Sequence, residues 1–327
     1  MAIITVNPNP VFDRTIRIVE MVPGAVIRAL DVELTAGGKG INVARVLRAL
    51  GHRAPLVVPI GVDDRARYLD LLVREGADVA AVSVPGGVRT ASIYLEQAVE
   101  RVTVVNDAGF PMSDGDWTRV CAEVRSSIGA QDIVLCMGSF PPGLSPSALG
   151  ELIDTVHGRD AMILVDSAPA WLAAALAHAP DVVTPNLDEA EALLAEGDAH
   201  VMDGHTLEAG EVRTRAEAAA AALVARGARR AIVTGGAAGA AMADDHGVTW
   251  VPAYPVEAVS TVGAGDSFVA GLAHVWTQDP TSVDWVQAVR FGVATAAASC
   301  EVVRAGGADA ARIEQILAAM ELAAVAS

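Results

Sequence analysis

Short apolar runs separated by segments of helical periodicity recur along most of the chain and predict strands alternating with helices. Ile3–Val6, 55–59, Ile133–Met137, Met162–Asp166, 182–185 and Ala231–Thr234 are rich in Val, Ile and Leu without polar alternation. That is the pattern of strands buried on both faces. Val43, Val46, Leu47 and Leu50 ahead of Gly51, and Leu69, Leu72 and Val73 ahead of Gly76, fall on single helix faces with a glycine stop. Further helices are predicted over 116–128, 147–156, 171–177, 215–226, 268–276, 283–299 and 311–325. Four extended stretches, 15–19, 32–35, 91–95 and 101–105, do not alternate with helices. They predict a small β-sheet lid, discontinuous in sequence (about 13–35 and 88–106), over an α/β core whose mostly parallel sheet carries helices on both faces. One domain spanning 1–327 is expected. The polar, aperiodic stretch 196–213 reads as a flexible loop, and its His200 and His205 are not expected to hold a metal.

Composition narrows the classes. Of the 327 residues, 52% are hydrophobic and only 4% aromatic, so the core is expected to be Ala-rich helices on Val/Ile strands. A formal charge of −17 argues against a nucleic-acid or membrane-surface role. Cys121, Cys136 and Cys300 are odd in number and lack metal-ligand spacing, which points to free thiols. No segment reads as a signal peptide or membrane span, so a cytoplasmic location is expected.

The chemistry concentrates where predicted strands end. Thr261-Val262-Gly263-Ala264-Gly265-Asp266-Ser267-Phe268 reads as extended chain, glycine turn and helix start. Unpaired N–H groups and a positive helix dipole make such a turn an anion site, and Asp266 beside it can stay ionised. The pair suits phosphoryl transfer to a hydroxyl, with Gly263, Ala264 and Gly265 around the phosphate and Asp266 taking the alcohol's proton. An ordinary helix cap is the alternative. Asp13, just past the first strand, is a sugar-hydroxyl candidate or a turn-forming aspartate. Gly37-Gly38-Lys39-Gly40-Ile41-Asn42 departs from a phosphate-binding Walker loop because Gly40 follows the lysine. Its glycines and Asn42 fit a sugar better. Arg89 and Arg101 could each grip a substrate phosphate, or lie solvated on an edge strand. Asn186 and Glu189, three apart at a helix start, could hold magnesium through water or simply cap the helix. The Gly235–Ala241 turn lacks the following helix of a dinucleotide fingerprint and is read as nucleotide-lining backbone.

These two glycine motifs, in this order and some 220 residues apart, resemble those of the PfkB branch of the ribokinase-like sugar kinases. The Asn-Pro-containing start and Gly138-Ser139-Phe140-Pro141-Pro142-Gly143 look most like the 1-phosphofructokinase and tagatose-6-phosphate kinase group. The resemblance implies a ribokinase-like fold and ATP- and Mg2+-dependent phosphorylation of a phosphorylated ketohexose: fructose 1-phosphate, tagatose 6-phosphate or fructose 6-phosphate. By the same resemblance Asp266 matches the catalytic base. Asp13, Gly38 and Asn42, with Gly37 and Lys39 of the same motif, match the sugar side, and Arg89 and Ser139 the substrate phosphate. Asn186 and Glu189 match the magnesium-linked Asn-x-x-Glu. Thr234, Gly236 and Gly239, with Asn186, Gly263 and Gly265, match the nucleotide side. Arg101 stands where a lysine is expected by register. Ser260 occupies a place that is acidic or amide in relatives needing a monovalent cation, so such a cation is unsupported. The lid often mediates homodimers in the family. A kinase of a non-phosphorylated sugar or nucleoside, and a non-catalytic sugar sensor, are the alternatives.

Overall fold

A computed structural model describes residues 1–195, 208–280 and 282–326. The chain opens with β1 (Ile3–Val6), β2 (Val11–Ile18), β3 (Asp31–Gly37) and α1 (Lys39–Ala49). Next come β4 (Leu56–Gly61), α2 (Arg65–Arg74), β5 (Val79–Val84), β6 (Arg89–Glu96) and β7 (Arg101–Asn106). Alternation then sets in with α3 (Asp114–Ser127), β8 (Ile133–Met137), α4 (Ser147–His157), β9 (Met162–Asp166), α5 (Pro169–Leu176) and β10 (Val182–Val183). α6 (Leu187–Leu194), α7 (Ala209–Ala225) and β11 (Ala231–Thr234) lead to the hairpin β12 (Gly239–Asp244) and β13 (Gly247–Pro252). Helices α8 (Ala264–Trp276), α9 (Trp285–Cys300) and α10 (Ala310–Ala326) follow.

Nine strands form one sheet in the order β13-β12-β11-β10-β9-β8-β1-β4-β5. It is parallel from β11 to β5, with the β12–β13 hairpin antiparallel at one edge. Successive strand residues alternate between two cores, because a strand's side chains point to opposite faces. Ile133, Leu135 and Met137 meet α1, α8, α9 and α10 on one face, while Val134 and Cys136 meet α3, α4, α5 and α7 on the other. This is why the strands carry no polar alternation.

A second, four-stranded sheet has the order β3-β2-β6-β7. It packs through Phe12 and Ala36 onto Tyr68 and Leu72 of α2 and Leu56, Val58 and Ile60 of β4. The chain passes from β1 into this sheet through Asn7–Pro10, and Val11 pairs with both Gly37 and Arg89.

Several local expectations are corrected. Asp13 lies inside β2, paired with Thr35 and Ala91, not in a turn. The strand β5 was not predicted; its Ala- and Ser-containing residues are half-buried at the sheet edge and carry a weak apolar signal. Residues 209–213, expected in a loop, begin α7. Gly239, Ala240 and Ala241, expected in the turn, open β12. Residues 196–207 of the predicted loop, with His200 and His205, lie outside the described residues. Among the described residues no helix is long and apolar enough to cross a membrane.

Candidate active site

Parallel strands all end on one edge of a sheet, and ligands settle there. At this edge β9 ends on Asp166 and β11 on Thr234, while Asn7, Ser139 and Asn186 follow β1, β8 and β10. α1 and α8 start at the same edge and are joined across it. Asn42 Nδ2 donates to Asp266 Oδ2 at 2.8 Å, linking residues 224 positions apart. One turn earlier on α1, Lys39 Nζ donates to Asp166 Oδ1 at 2.6 Å.

Gly263 caps α8 in the left-handed region, at φ 83°. A Cβ there would be strained and would lie 3.1 Å from Ala305 Cβ. Behind it, Ala264 N–H turns back to Thr261 O at 3.2 Å. Gly265 and Asp266 are left as the first-turn donors with no backbone acceptor among the described residues. Ala264 thus shapes the turn, and it is the two N–H groups after it that lack a backbone acceptor among the described residues.

Carboxylates crowd this site. Burial pushes Asp266 up from the usual carboxylate range to about 7, and nearby Asp166 and Asp13 add to the rise; Lys39 and the Asn42 amide oppose it. The aspartate expected to remain readily ionised is therefore poised near neutrality. Asp13 is raised to about 6, again chiefly by burial, with Arg45 and Arg89 holding it down. Glu189 is also raised by burial, against the Asn186 N–H and Lys39. Burial would lower the Lys39 ammonium, but Asp166 more than offsets it, and the net shift is upward.

Arg89, at the start of β6, reaches back over the β1–β2 crossing. Its Nε and Nη2 donate to Asn9 O at 3.3 and 3.2 Å, and Nη1 to Asp107 O at 3.1 Å. Asn9 Nδ2 in turn lies 3.4 Å from Ser139 Oγ, so Arg89, Asn9 and exposed Ser139 form one cluster. Arg101 is not part of it. Its guanidinium is held by both oxygens of Glu96, at 2.6 and 2.7 Å. Glu96 lies at the opposite end of β6 from Arg89, about 23 Å away along an extended strand.

Past the ends of β10 and β11, Asn186 and Thr234 form a parallel bridge. Asn186 and Glu189 make the reciprocal capping box at α6: Glu189 N–H donates to Asn186 Oδ1 and Asn186 N–H to Glu189 Oε2, both at 2.9 Å. Gly236, at φ 56°, faces open space, whereas Gly239 is pressed against Val251 and Trp250 and serves packing. Gly37 lies over the Asp13 carboxylate and Gly38 over the Asn7 amide, so both hold α1 close to the ends of β1 and β2. Ser260 uses its hydroxyl on the Val262 N–H at 3.3 Å.

Sequence reasoning overlooked a supporting layer. Arg45, three residues after Asn42 and so on the same helix face, donates to Asn42 Oδ1 at 2.8 Å. It is itself gripped by Glu75, which Arg304 also contacts at 2.7 Å. The spacing from Asn42 was the available signal for Arg45; nothing local marks Glu75 or Arg304.

Residues 7–311 match the model of the pfkB family carbohydrate kinases. The 1-phosphofructokinase of Xanthomonas campestris pv. campestris is 34% identical over 315 residues, covering 95% of this chain and 93% of that protein. That of Escherichia coli (strain K12) is 31% identical over 319 residues, 97% of each. Among solved structures, Escherichia coli phosphofructokinase-2 in complex with potassium superposes with a TM-score of 0.85 at 26% identity, covering 98% of this chain and 99% of that one. The ribokinase of Thermotoga maritima shares the fold, with a TM-score of 0.69 at 22% identity over 97% and 99% of the two chains. The chain belongs to the pfkB family of ATP-dependent carbohydrate kinases.

Proposed function

We propose that this kinase transfers the γ-phosphoryl group of ATP to a hydroxyl of a phosphorylated ketohexose, fructose 1-phosphate first among them, with Asp266 as base. The observation that carries the reading is the 2.8 Å bond from Asn42 to Asp266 at the mouth of the α8 amides. This contact supports the reading that Asn42, Asp266 and the α8 amides act on one small molecule.

In this mechanism Asp266 orients the acceptor hydroxyl and takes its proton as the phosphoryl group moves in line. Little basicity is needed when the transition state is loose. The N–H groups of Gly265 and Asp266 stabilise charge on the transferring phosphate. Asp13 and Asn42 hold sugar hydroxyls, with Lys39 neutralising the carboxylates around them. Arg89 and Ser139 take the substrate's own phosphate. The four-stranded sheet acts as a lid that excludes water from the bound phosphates.

The donor set fits magnesium held largely by phosphate oxygens and water. Among the described residues no cluster of three or more His, Cys, Asp or Glu forms a protein cage. Capping uses Oε2 of Glu189 and leaves Oε1 for a cation's water shell. When bound, Mg2+ offsets charge shared by the β- and γ-phosphates. Thr234 and Gly236 line the nucleotide side. Exposed Val102, Val104 and Val105 on the edge strand β7 support a homodimer through the lid sheet, and the family chemistry supports a cytoplasmic role.

An ADP-release screen over fructose 1-phosphate, fructose 6-phosphate, tagatose 6-phosphate and their unphosphorylated sugars tests the reading. The highest kcat/KM is expected with fructose 1-phosphate; preference for an unphosphorylated sugar would overturn the phosphate-binding role of Arg89.

A further inference from the structure

Asn42 can face Asp266 in two ways, and only one helps a proton acceptor. An NH2 toward the carboxylate stabilises its charge; a carbonyl oxygen there repels it and favours the protonated acid. The choice is made one turn away. Arg45 Nη1 donates to Asn42 Oδ1 at 2.8 Å, and a guanidinium has no acceptor, so that face of the amide must be the oxygen. Arg45 has little freedom to turn. Its Nε and Nη2 bind the two oxygens of Glu75 at 2.7 and 2.9 Å, and Nη2 also reaches Ala36 O at 2.6 Å. The pair is largely buried, with side chains 9% and 16% exposed. Arg304 also grips Glu75, at Oε1, and its loop packs against the anion turn and helix α1. Ala305 abuts Gly263, and Gly306 lies so close to the Asn42 backbone that a Cβ there would sit 2.8 Å from Asn42 Cα.

We infer that Arg45 is a positioning residue: clamped by Glu75, it locks the Asn42 amide so that its NH2, and not its oxygen, is presented to Asp266. The inference rests on the reading of Asp266 as base. The charged groups facing Asp266 are Lys39 on α1, Asp166 at the end of β9 and Asp13 on β2. Those facing Arg45 are Glu75 at the end of α2, Arg48 on its own helix, Arg304, and Asp13. Because Arg45 also acts on Asp13, a kinetic profile alone would mix two carboxylates, and a signal from the amide itself is required.

The chain has five asparagines, at 7, 9, 42, 106 and 186, so 15N-asparagine labelling yields a sparse set of side-chain amide signals. The Asn42 pair is assigned by its loss in Asn42→Ala. In the parent protein it is expected to shift with a midpoint set by Asp266. In Arg45→Met, or in Arg45→Met/Glu75→Gln, which strands no buried charge if the single variant folds poorly, that response should disappear. The acid limb of kcat should move up by about one pH unit, a loss of about fivefold at pH 7 that approaches about tenfold below it, with KM values within about threefold. Arg45→Lys, which keeps a donor, should recover part of both. An Asn42 signal that titrates in the Met variants as in the parent overturns the positioning role, whatever happens to turnover. Near-normal turnover in Asp266→Asn would instead overturn the base reading and leave the amide result intact.

Discussion

Replacing Asp266 with Asn should remove turnover and stabilise the fold at the same time. The side chain is 5% exposed, and burial with Asp166 nearby raises its pKa from 3.8 to about 7. In the unfolded chain the group ionises near 3.8; in the native state it holds its proton until about pH 7. The native state therefore binds more protons between those values, and stability falls as pH rises through that window, levelling off above it. At about 1.36 kcal/mol per pKa unit the ceiling on this loss is about 4 kcal/mol. Local relaxation and water entry reduce it, so Asp266→Asn should be about 1–3 kcal/mol more stable than the parent at pH 8. The amide still offers Asn42 an acceptor, so no donor is stranded. Urea unfolding followed by the fluorescence of the five tryptophans at pH 8, 7 and 5 measures the difference, which should narrow on acidification. Turnover should meanwhile fall about 10²–10⁴-fold with KM for ATP little changed. A variant less stable than the parent at pH 8, or a gap that widens as pH falls, would refute the argument that charge is stored at this site for catalysis.

Other outcomes follow from the same geometry. Arg89→Ala should raise KM for the phosphosugar by at least about tenfold, while Arg101→Ala, whose guanidinium is committed to Glu96, should leave it within twofold; steady-state kinetics on both variants decides this, and the reverse order would move the phosphate site to the far end of the lid. In the parent enzyme kcat should rise through an acid limb near pH 7 and plateau above it, as Asp266 ionises. A flat profile from pH 5.5 to 8 would remove Asp266 as the titrating group. Glu189→Gln should raise the Mg2+ concentration for half-maximal rate by about tenfold or more, with most of kcat recovered at saturation. An unchanged magnesium titration would reduce Glu189 to a helix cap.

What the sequence made legible was whatever periodicity or chain-local chemistry encodes. Runs of Val and Ile without alternation announced doubly covered parallel strands, and both glycine turns were visible because a positive φ at Gly263 or a close approach at Gly37 leaves few other residues possible. The setting of Asp13 was misread: it lies inside β2 and not in a turn. Prolines at 8 and 10 do interrupt pairing after β1, but the chain resumes at Val11 as a strand of the second sheet, which nothing local announces. Arg101 illustrates the opposite failure. An isolated arginine on a lid strand looks free until its cross-strand neighbour is known, and Glu96 becomes that neighbour only through the β6–β7 register. The layer around Arg45, Glu75 and Arg304 was illegible for a related reason. Its members come from α1, the end of α2 and a loop some 230 residues on, and in the sequence each alone is one charged residue among many. Their meaning is relational: a guanidinium that can only donate decides which end of an amide meets an aspartate, and that arises only after the fold has brought the start of α8 against α1.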